Sequence, residues 1–406
     1  MSRDLGIRFS FGAAVASDAS ADFASCRARF DEPLAEAVRW IADNAAKGAS
    51  GFGWYDLSEA ETACVREAAE WLRSYDAIVH VGIGGSALGN LMLHQALLPM
   101  YFNEDPRDAD GGRRPRFYLA DNPDPDKARA IWSRVAGARV ALIGVSKSGS
   151  TAETMSQFLW FRSMMESARG GSVDNDILVI TDPKGGAFRA YAQATGSRSL
   201  EIPPSVGGRF SVLSPCGLVT ASALGADIDD LLAGASAMKK FLANCNPAEN
   251  PALNLASLHR YHEKSGRPMA VMMPYANRLE TFAEWFAQLW GESVGKDGMG
   301  TTPVRALGAI DQHSQVQLYT AGPDDKFYTL IDVAERTEEI DLPRVSDASL
   351  ASLSYLSGQK MGEMLRCEAK STAAALIKAG RPVAWIELDR IDAHTIGALV
   401  FFYEYV

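Results

Sequence analysis

The sequence predicts an α/β protein with two domains, each a doubly wound parallel sheet covered by helices on both faces (three-layer αβα). Short apolar runs recur along the chain, and a polar turn and a helical pattern follow each of them. Near residue 207 this alternation changes, and a second set of runs begins further on. The chain has 406 residues, 47% of them hydrophobic, which is enough for two apolar cores.

The first domain, placed at residues 1–225, contains four predicted strands. They cover residues 76–82, 116–120, 140–145 and 177–181. Because these runs are almost continuously apolar rather than alternating, helices should cover both faces of the sheet. No Pro-rich or Ser-rich linker marks the end of this domain.

The second domain, placed at residues 226–406, begins with a helical region. Helices are predicted over 227–242 and 254–264, and one long helix over 349–379. Strands are predicted over 269–273, 327–332 and 383–388, so the second half repeats the architecture of the first.

The composition restricts partners and compartment. The formal net charge of −10, without a basic cluster, disfavours a nucleic-acid partner. The five cysteines are scattered without metal-ligand spacing, which predicts free thiols in a reducing compartment. The start of the chain does not lead into an apolar signal core, and no stretch of the sequence is long enough and apolar enough to cross a membrane, so we expect a soluble, cytoplasmic protein with no membrane partner.

Two glycine- and hydroxyl-rich turns follow predicted strands. The first contains Gly85 and Ser86, and the second contains Ser146, Ser148 and Thr151. Turns of this kind lie at the carboxyl ends of parallel strands, where N–H groups of the next helix attract anions. Together they predict a phosphate site, to which Lys147 either adds charge or does not contribute because it points to solvent.

Each turn also has a second interpretation. The first fits the loose dinucleotide fingerprint, with Asp121 ending the next strand, so a nicotinamide cofactor stays an alternative. The second fits an ordinary helix start, with Ser148 or Ser150 as N-cap and Glu153 as its capping-box partner.

Acid–base chemistry is expected from three further segments. An amphipathic helix over 281–292 carries Gln288 and Glu292 on its polar stripe and leads into a glycine-rich turn. His313 lies among glutamines at a predicted helix start, and Arg209 follows Gly207 and Gly208. Each segment also has an alternative interpretation. The polar stripe of the helix is then an ordinary solvated face, His313 is a structural histidine, and Arg209 binds a backbone carbonyl or a carboxylate.

Taken together, these motifs resemble the glucose-6-phosphate isomerase family in its shorter bacterial form. The matching segments, in the family's order, are 82–86, 146–151, 206–211, Gln288 with 292–296, and 312–313. The resemblance extends from about residue 50 to the end; the segment Gly207–Ser211 is quite specific to the family, and the serine-rich turn is less so.

The resemblance implies two sugar-isomerase domains, a homodimer with active sites at the subunit interface, and no metal or redox cofactor. Glu292 would move the proton between C1 and C2, Arg209 would stabilise the enediolate, and His313 of the other subunit would assist ring opening. The remaining residues would bind the hexose 6-phosphate: Ser146, Lys147, Ser148, Thr151, Ser86, Gly85, Gly208 and Gln288.

In one respect the sequence departs from the family. The family continues beyond the equivalent of Val406 with an Asp-Gln-x-Gly-Val-Glu segment and a lysine that helps to open the ring, so we interpret the second domain as truncated. Nothing in the sequence assigns Lys296, Lys360 or Lys378 to that role. A non-catalytic sugar-phosphate-binding module is therefore the second hypothesis, and a nucleotide-cofactor oxidoreductase the third.

Overall fold

The computed structural model describes residues 5–15, 31–108 and 110–406. These residues form two compact units. One unit is Val38–Ser236; the other combines Ala237–Val406 with the described residues up to Ala37. The division at residue 225 stays a prediction. No helix among the described residues is long and apolar enough to cross a membrane.

Helices and strands alternate along both units. In the first half of the chain the elements are β1 (Ile7–Ser10), α1 (Asp31–Ala46), α2 (Ala63–Arg73), β2 (Ala77–Val81), α3 (Leu88–Leu97), β3 (Arg116–Ala120), α4 (Pro125–Val135), β4 (Val140–Ser146), α5 (Ala152–Arg169), β5 (Ile177–Thr181), α6 (Ala187–Thr195), β6 (Arg198–Glu201) and α7 (Pro215–Leu224). The later elements are α8 (Ile228–Asn244), α9 (Pro251–Lys264), β7 (Met269–Pro274), α10 (Glu280–Val294), β8 (Thr302–Arg305), α11 (Ile310–Ala321), β9 (Lys326–Val333), α12 (Met361–Lys378), β10 (Val383–Leu388) and α13 (Ala393–Tyr405).

The sheet of the unit Val38–Ser236 has the strand order β3-β2-β4-β5-β6, and all its pairs are parallel. Every residue of β2, β4 and β5 is buried. The chain places β3 on one side of β2 and β4 on the other, which makes a crevice at the carboxyl ends of β2 and β4. The four predicted strands are present, whereas the short, polar edge strand β6 was not predicted.

The second sheet has the order β1-β10-β9-β7-β8. Its four strands from the second half of the chain are parallel, and β1 pairs antiparallel with β10. The predicted parallel α/β architecture is therefore confirmed in both units, with an added antiparallel edge. Neither β1 nor the partly exposed β8 was predicted, because each has only four residues.

The prediction of one helix over 349–379 was wrong. A 3₁₀ segment, Ala348–Leu356, is followed by a turn, and the α-helix starts only at Met361. Gly358 in this turn has a φ of +71°, in the left-handed region that a continuous α-helix excludes. The apolar periodicity on both sides of the turn concealed the break.

Candidate functional site

A cavity of about 570 Å³ opens at the carboxyl ends of β2 and β4. It lies in the crevice where the strand order of this sheet predicts a ligand. The sequence-predicted binding residues of this unit line it together: Gly85, Ser86, Ser146, Lys147, Ser148, Thr151 and Gly208.

Two helices begin at this cavity without a side-chain cap. The N-cap residues are Ala87 for α3 and Thr151 for α5, and neither side chain accepts a hydrogen bond from its own helix. The alternative with Ser148 or Ser150 as the N-cap of α5 is thus wrong. First-turn N–H groups without a side-chain cap favour a bound anion at both helix starts.

The hydroxyl groups of the second turn lie close to one another. The Thr151 hydroxyl lies 3.2 Å from that of Ser146 and 3.4 Å from that of Ser148. Ser146 Oγ also accepts a hydrogen bond of 3.1 Å from the N–H of Gly149. Because hydroxyl groups can rotate, this cluster can turn its donors toward a phosphate without any change of backbone.

Lys147 does not point to solvent, and its ammonium group is already bonded to the protein. Its Nζ donates hydrogen bonds to the carbonyl oxygens of Pro204 (2.9 Å) and Val206 (2.8 Å). The side chain therefore connects the second turn to the segment that leads to Arg209.

The first turn meets the Gly207–Gly208 segment by direct backbone contact. A Cβ atom at Gly85 would overlap the carbonyl group of Gly208, so only glycine fits there. The Ser211 hydroxyl lies 3.1 Å from the carbonyl oxygen of Gly85 and 2.7 Å from that of Gly208. A Cβ at Gly208 itself would meet open space, which leaves its backbone accessible from the cavity.

Arg209 is part of a stack of planar groups. Its guanidinium carbon lies 4.7 Å from the ring centroid of Phe210. The Phe210 ring stacks on Trp54 at 5.5 Å, with 15° between the ring planes. This packing limits the orientations available to the guanidinium group.

Sequence reasoning missed several residues that line the cavity and one that contacts its lining. His80, on β2, is fully buried and does not line the cavity, but its Nε2 lies 2.8 Å from the carbonyl oxygen of Ser86, which does. Burial lowers the pKa of His80 to about 4, so the ring is neutral at pH 7 and Nε2–H donates to that carbonyl. Thr154 is recognisable in retrospect, because it follows Thr151 at helical spacing. The other missed lining residues are Ile83, Asp182 and Gly185.

In the other unit, Gln288 and Glu292 lie one turn apart on the polar side of α10. Gln288 Nε2 donates a hydrogen bond of 2.8 Å to Glu292 Oε1. The opposite side of the helix is buried and contains Phe282, Trp285, Phe286, Leu289 and Trp290. This amphipathic arrangement is the one predicted, and the exposed Glu292 carboxylate is held by its neighbour on the helix.

His313 lies on the exposed face of α11. Its neighbour Gln312 faces inward, and the Gln312 Oε1 accepts hydrogen bonds from Tyr275 and Thr372. The exposed residues of this helix also include Ile310 and Leu318, whose exposed fractions are 62% and 52%. The histidine therefore shares an exposed helix surface with unburied apolar side chains.

Glu292 and His313 lie near opposite ends of the strands of the second sheet. The helix α10 starts beyond the carboxyl end of β7 and runs back over 15 residues, so Glu292 lies near the amino ends of the strands. His313 is in the first turn of α11, just beyond the carboxyl end of β8. A helix of this length spans about 22 Å, so this unit does not bring the two residues together.

The described residues contain no group of three or more His, Cys, Asp or Glu side chains that could hold a metal ion. Asp121, the candidate ribose ligand of a dinucleotide, forms an ion pair with Lys127.

Comparisons with known proteins were made for the whole chain. Residues 67–341 match the family model described as phosphoglucose isomerase. A glucose-6-phosphate isomerase of Carboxydothermus hydrogenoformans is 38% identical over 92% of this chain and 82% of its own length. One from Rubrobacter xylanophilus is 44% identical over 82% of this chain and 77% of its own length. The crystal structure of a hypothetical protein from Thermus thermophilus superimposes with a TM-score of 0.87 at 34% identity, covering 98% of this chain and 92% of the other.

Proposed function

This chain belongs to the phosphoglucose isomerase family, and from that premise we infer that it is an enzyme that interconverts glucose 6-phosphate and fructose 6-phosphate. The observation that carries this function is the extent of the similarity, at 38% identity over 92% of the chain. The reaction is an aldose–ketose isomerisation through an enediolate, and it belongs to glycolysis and gluconeogenesis. A cytoplasmic location is proposed on the same basis.

The 6-phosphate of the sugar binds in the cavity at the starts of α3 and α5. Helix N–H groups and the hydroxyls of Ser146, Ser148 and Thr151 supply hydrogen-bond donors to it, with a further hydroxyl from Ser86. Such a site holds a dianion with little formal positive charge, which suits a protein whose net charge is −10.

Glu292 acts as the base that takes a proton from C2 of glucose 6-phosphate and returns it to C1. The hydrogen bond from Gln288 orients the carboxylate that receives this proton. Arg209 stabilises negative charge on the enediolate oxygens, and its stacking on Phe210 supports a fixed orientation. Gln288 contacts the sugar.

A homodimer is proposed, with His313 acting in the active site of the partner copy. Two features of the chain support it. The exposed apolar residues on the helix of His313 fit a protein surface better than water. Because His313 lies beyond the carboxyl ends of the strands and Glu292 near their amino ends, a second copy is a simpler source of this histidine than the same unit.

The decisive experiment is a cofactor-free assay with fructose 6-phosphate, in which product formation is coupled to a glucose-6-phosphate detection system. We expect turnover, together with exchange of the C2 proton of glucose 6-phosphate with solvent, which a non-catalytic sugar-phosphate-binding module would not produce. Stabilisation of the protein by a nicotinamide dinucleotide but not by fructose 6-phosphate would instead favour the oxidoreductase hypothesis.

Glu292→Gln tests the assignment of the base. Because the amide cannot accept the proton, kcat should fall by about 10²- to 10⁴-fold, while fructose 6-phosphate still binds. Glu284→Gln is the matched control on the same helix, where Glu284 pairs with Arg305 instead. If Glu292→Gln kept its proton exchange at C2, another residue would have to be the base.

A further inference from the structure

The segment that carries Arg209 is not a regular strand or helix where it approaches the cavity. It leaves β6 at Glu201 and reaches a single 3₁₀ turn at Gly208–Phe210. Its position therefore depends on bonds to other parts of the unit rather than on ladder hydrogen bonds.

Three consecutive carbonyl groups of this segment have donors from two other parts of the chain. The carbonyl oxygen of Ser205 accepts hydrogen bonds from the N–H groups of Gly51 (2.8 Å) and Gly53 (2.9 Å). The carbonyl oxygens on either side, those of Pro204 and Val206, accept from the Lys147 ammonium group. Lys147 thus supplies the donors for two of the three carbonyl groups.

Lys147 itself belongs to the turn that we assign to the phosphate. Two of the three donors of its ammonium group are used by these carbonyls, which lie 2.9 and 2.8 Å away. An ammonium group engaged in this way is a strong link between two backbone segments, because hydrogen bonds from charged donors are stronger than neutral ones.

We propose that Lys147 is a positioning residue, an inference that rests on the proposed function. It fixes the Val206–Arg209 segment against the phosphate turn, so that Arg209 faces the enediolate when the sugar phosphate is bound. Its main effect is on kcat, through Arg209, and not on the affinity for the phosphate. This differs from the expectation that Lys147 binds the phosphate with its charge.

The test compares Lys147→Met with the wild-type enzyme. Met keeps the apolar stem but removes all donors, so the two carbonyls lose their partner. We expect kcat to fall roughly 10- to 100-fold, since a small displacement of a catalytic group has effects of this size. The KM for fructose 6-phosphate and its competitive inhibition by inorganic phosphate should stay within about threefold of the wild-type values.

A double variant provides the sharper readout. If Lys147 acts through Arg209, then adding Lys147→Met to Arg209→Gln should lower kcat only slightly further, because the guanidinium group that Lys147 positions is already absent. Fully additive losses in kcat would overturn the proposal. A large rise in KM and in the inhibition constant for phosphate, with kcat unchanged, would overturn it as well and would favour direct phosphate binding.

Two further variants keep the test interpretable. Lys147→Gln retains a neutral donor and should recover part of the kcat lost in Lys147→Met, and it replaces that variant if the latter does not fold. Lys127→Met, which removes an ion pair with Asp121 elsewhere in the same unit, is the matched control and should leave kcat unchanged. A wild-type protein without isomerase activity would refute the proposed function itself, an outcome distinct from any result with Lys147.

Discussion

Several histidines of this protein are buried in apolar surroundings. His259 lies 4.2 Å from the ring of Trp290 and 4.8 Å from that of Phe327, and neither of its ring nitrogens has a hydrogen-bond partner. Burial lowers the pKa of His259 to about 3, and it lowers the pKa values of His80 and His94 to about 4. These rings are neutral in the folded protein at pH 7.

The depressed pKa of His259 predicts acid sensitivity. The unfolded chain takes up a proton near the ordinary pKa of 6.5, whereas the folded chain does not do so until about pH 3. Stability from this residue is complete above pH 6.5 and is lost as the pH falls below it. Between pH 7 and pH 5 the loss amounts to about 2 kcal/mol.

His259→Phe should therefore flatten the pH dependence of stability. Urea unfolding at pH 7 and at pH 5 should show a decrease in the free energy of unfolding that is about 2 kcal/mol smaller in the variant than in the wild type. Well above the ordinary pKa of histidine, both proteins should respond to pH alike. An equal decrease in both proteins below pH 6.5 would show that His259 does not control this effect.

Among the elements, the turns that follow β2 and β4 determine the shape of the phosphate site. Each leads into a helix whose N-cap side chain makes no capping bond, and the first turn touches the Gly207–Gly208 segment through Gly85. The site thus depends on close contact between backbones that are far apart in sequence.

Gly85→Ala tests this contact. The added methyl group would overlap the carbonyl group of Gly208, so the two segments must separate. We expect kcat/KM for fructose 6-phosphate to fall by roughly 100-fold or more. Gly171→Ala is the control, because a Cβ at Gly171 meets no atom within 4 Å. Normal activity in Gly85→Ala would mean that the close approach is not needed for the reaction.

At the scale of the whole molecule, the proposed dimer predicts complementation between inactive variants. Glu292→Gln and His313→Gln should each be impaired when expressed alone. When they are expressed together, a mixed dimer combines an intact Glu292 from one copy with an intact His313 from the other. If half of the molecules are mixed and each has one intact site, about a quarter of the wild-type activity should return.

The activity of co-expressed and separately expressed variants is then compared at equal protein concentration. Activity no greater than the sum of the two separate variants would show that His313 acts within its own chain. Size measurement by light scattering gives an independent check, with an expected mass of twice the 43.8 kDa chain.

Much of the fold could be predicted from the sequence because continuously apolar runs bounded by polar turns have few possible environments. The runs that became β2, β4 and β5 are buried along their whole length, and only a parallel sheet covered on both faces accommodates them. The short strands β1, β6 and β8 lack such an apolar run. They are extended because they pair with β10, β5 and β7, and their own sequences do not indicate this. The turn at Gly358 was missed because the spacing of apolar residues does not indicate the φ angle of a single residue.

The sequence by itself determined the α/β class, the family resemblance and the presence of hydroxyl-rich turns, since these depend on residue type and local spacing. Only the tertiary structure decided that Lys147 binds the carbonyls of Pro204 and Val206, that Gly85 touches Gly208, and that Glu292 and His313 lie near opposite ends of the strands. The physical reason is that a long, flexible side chain can reach many groups. Chain topology, not spacing along the sequence, selects which of them come within hydrogen-bond distance.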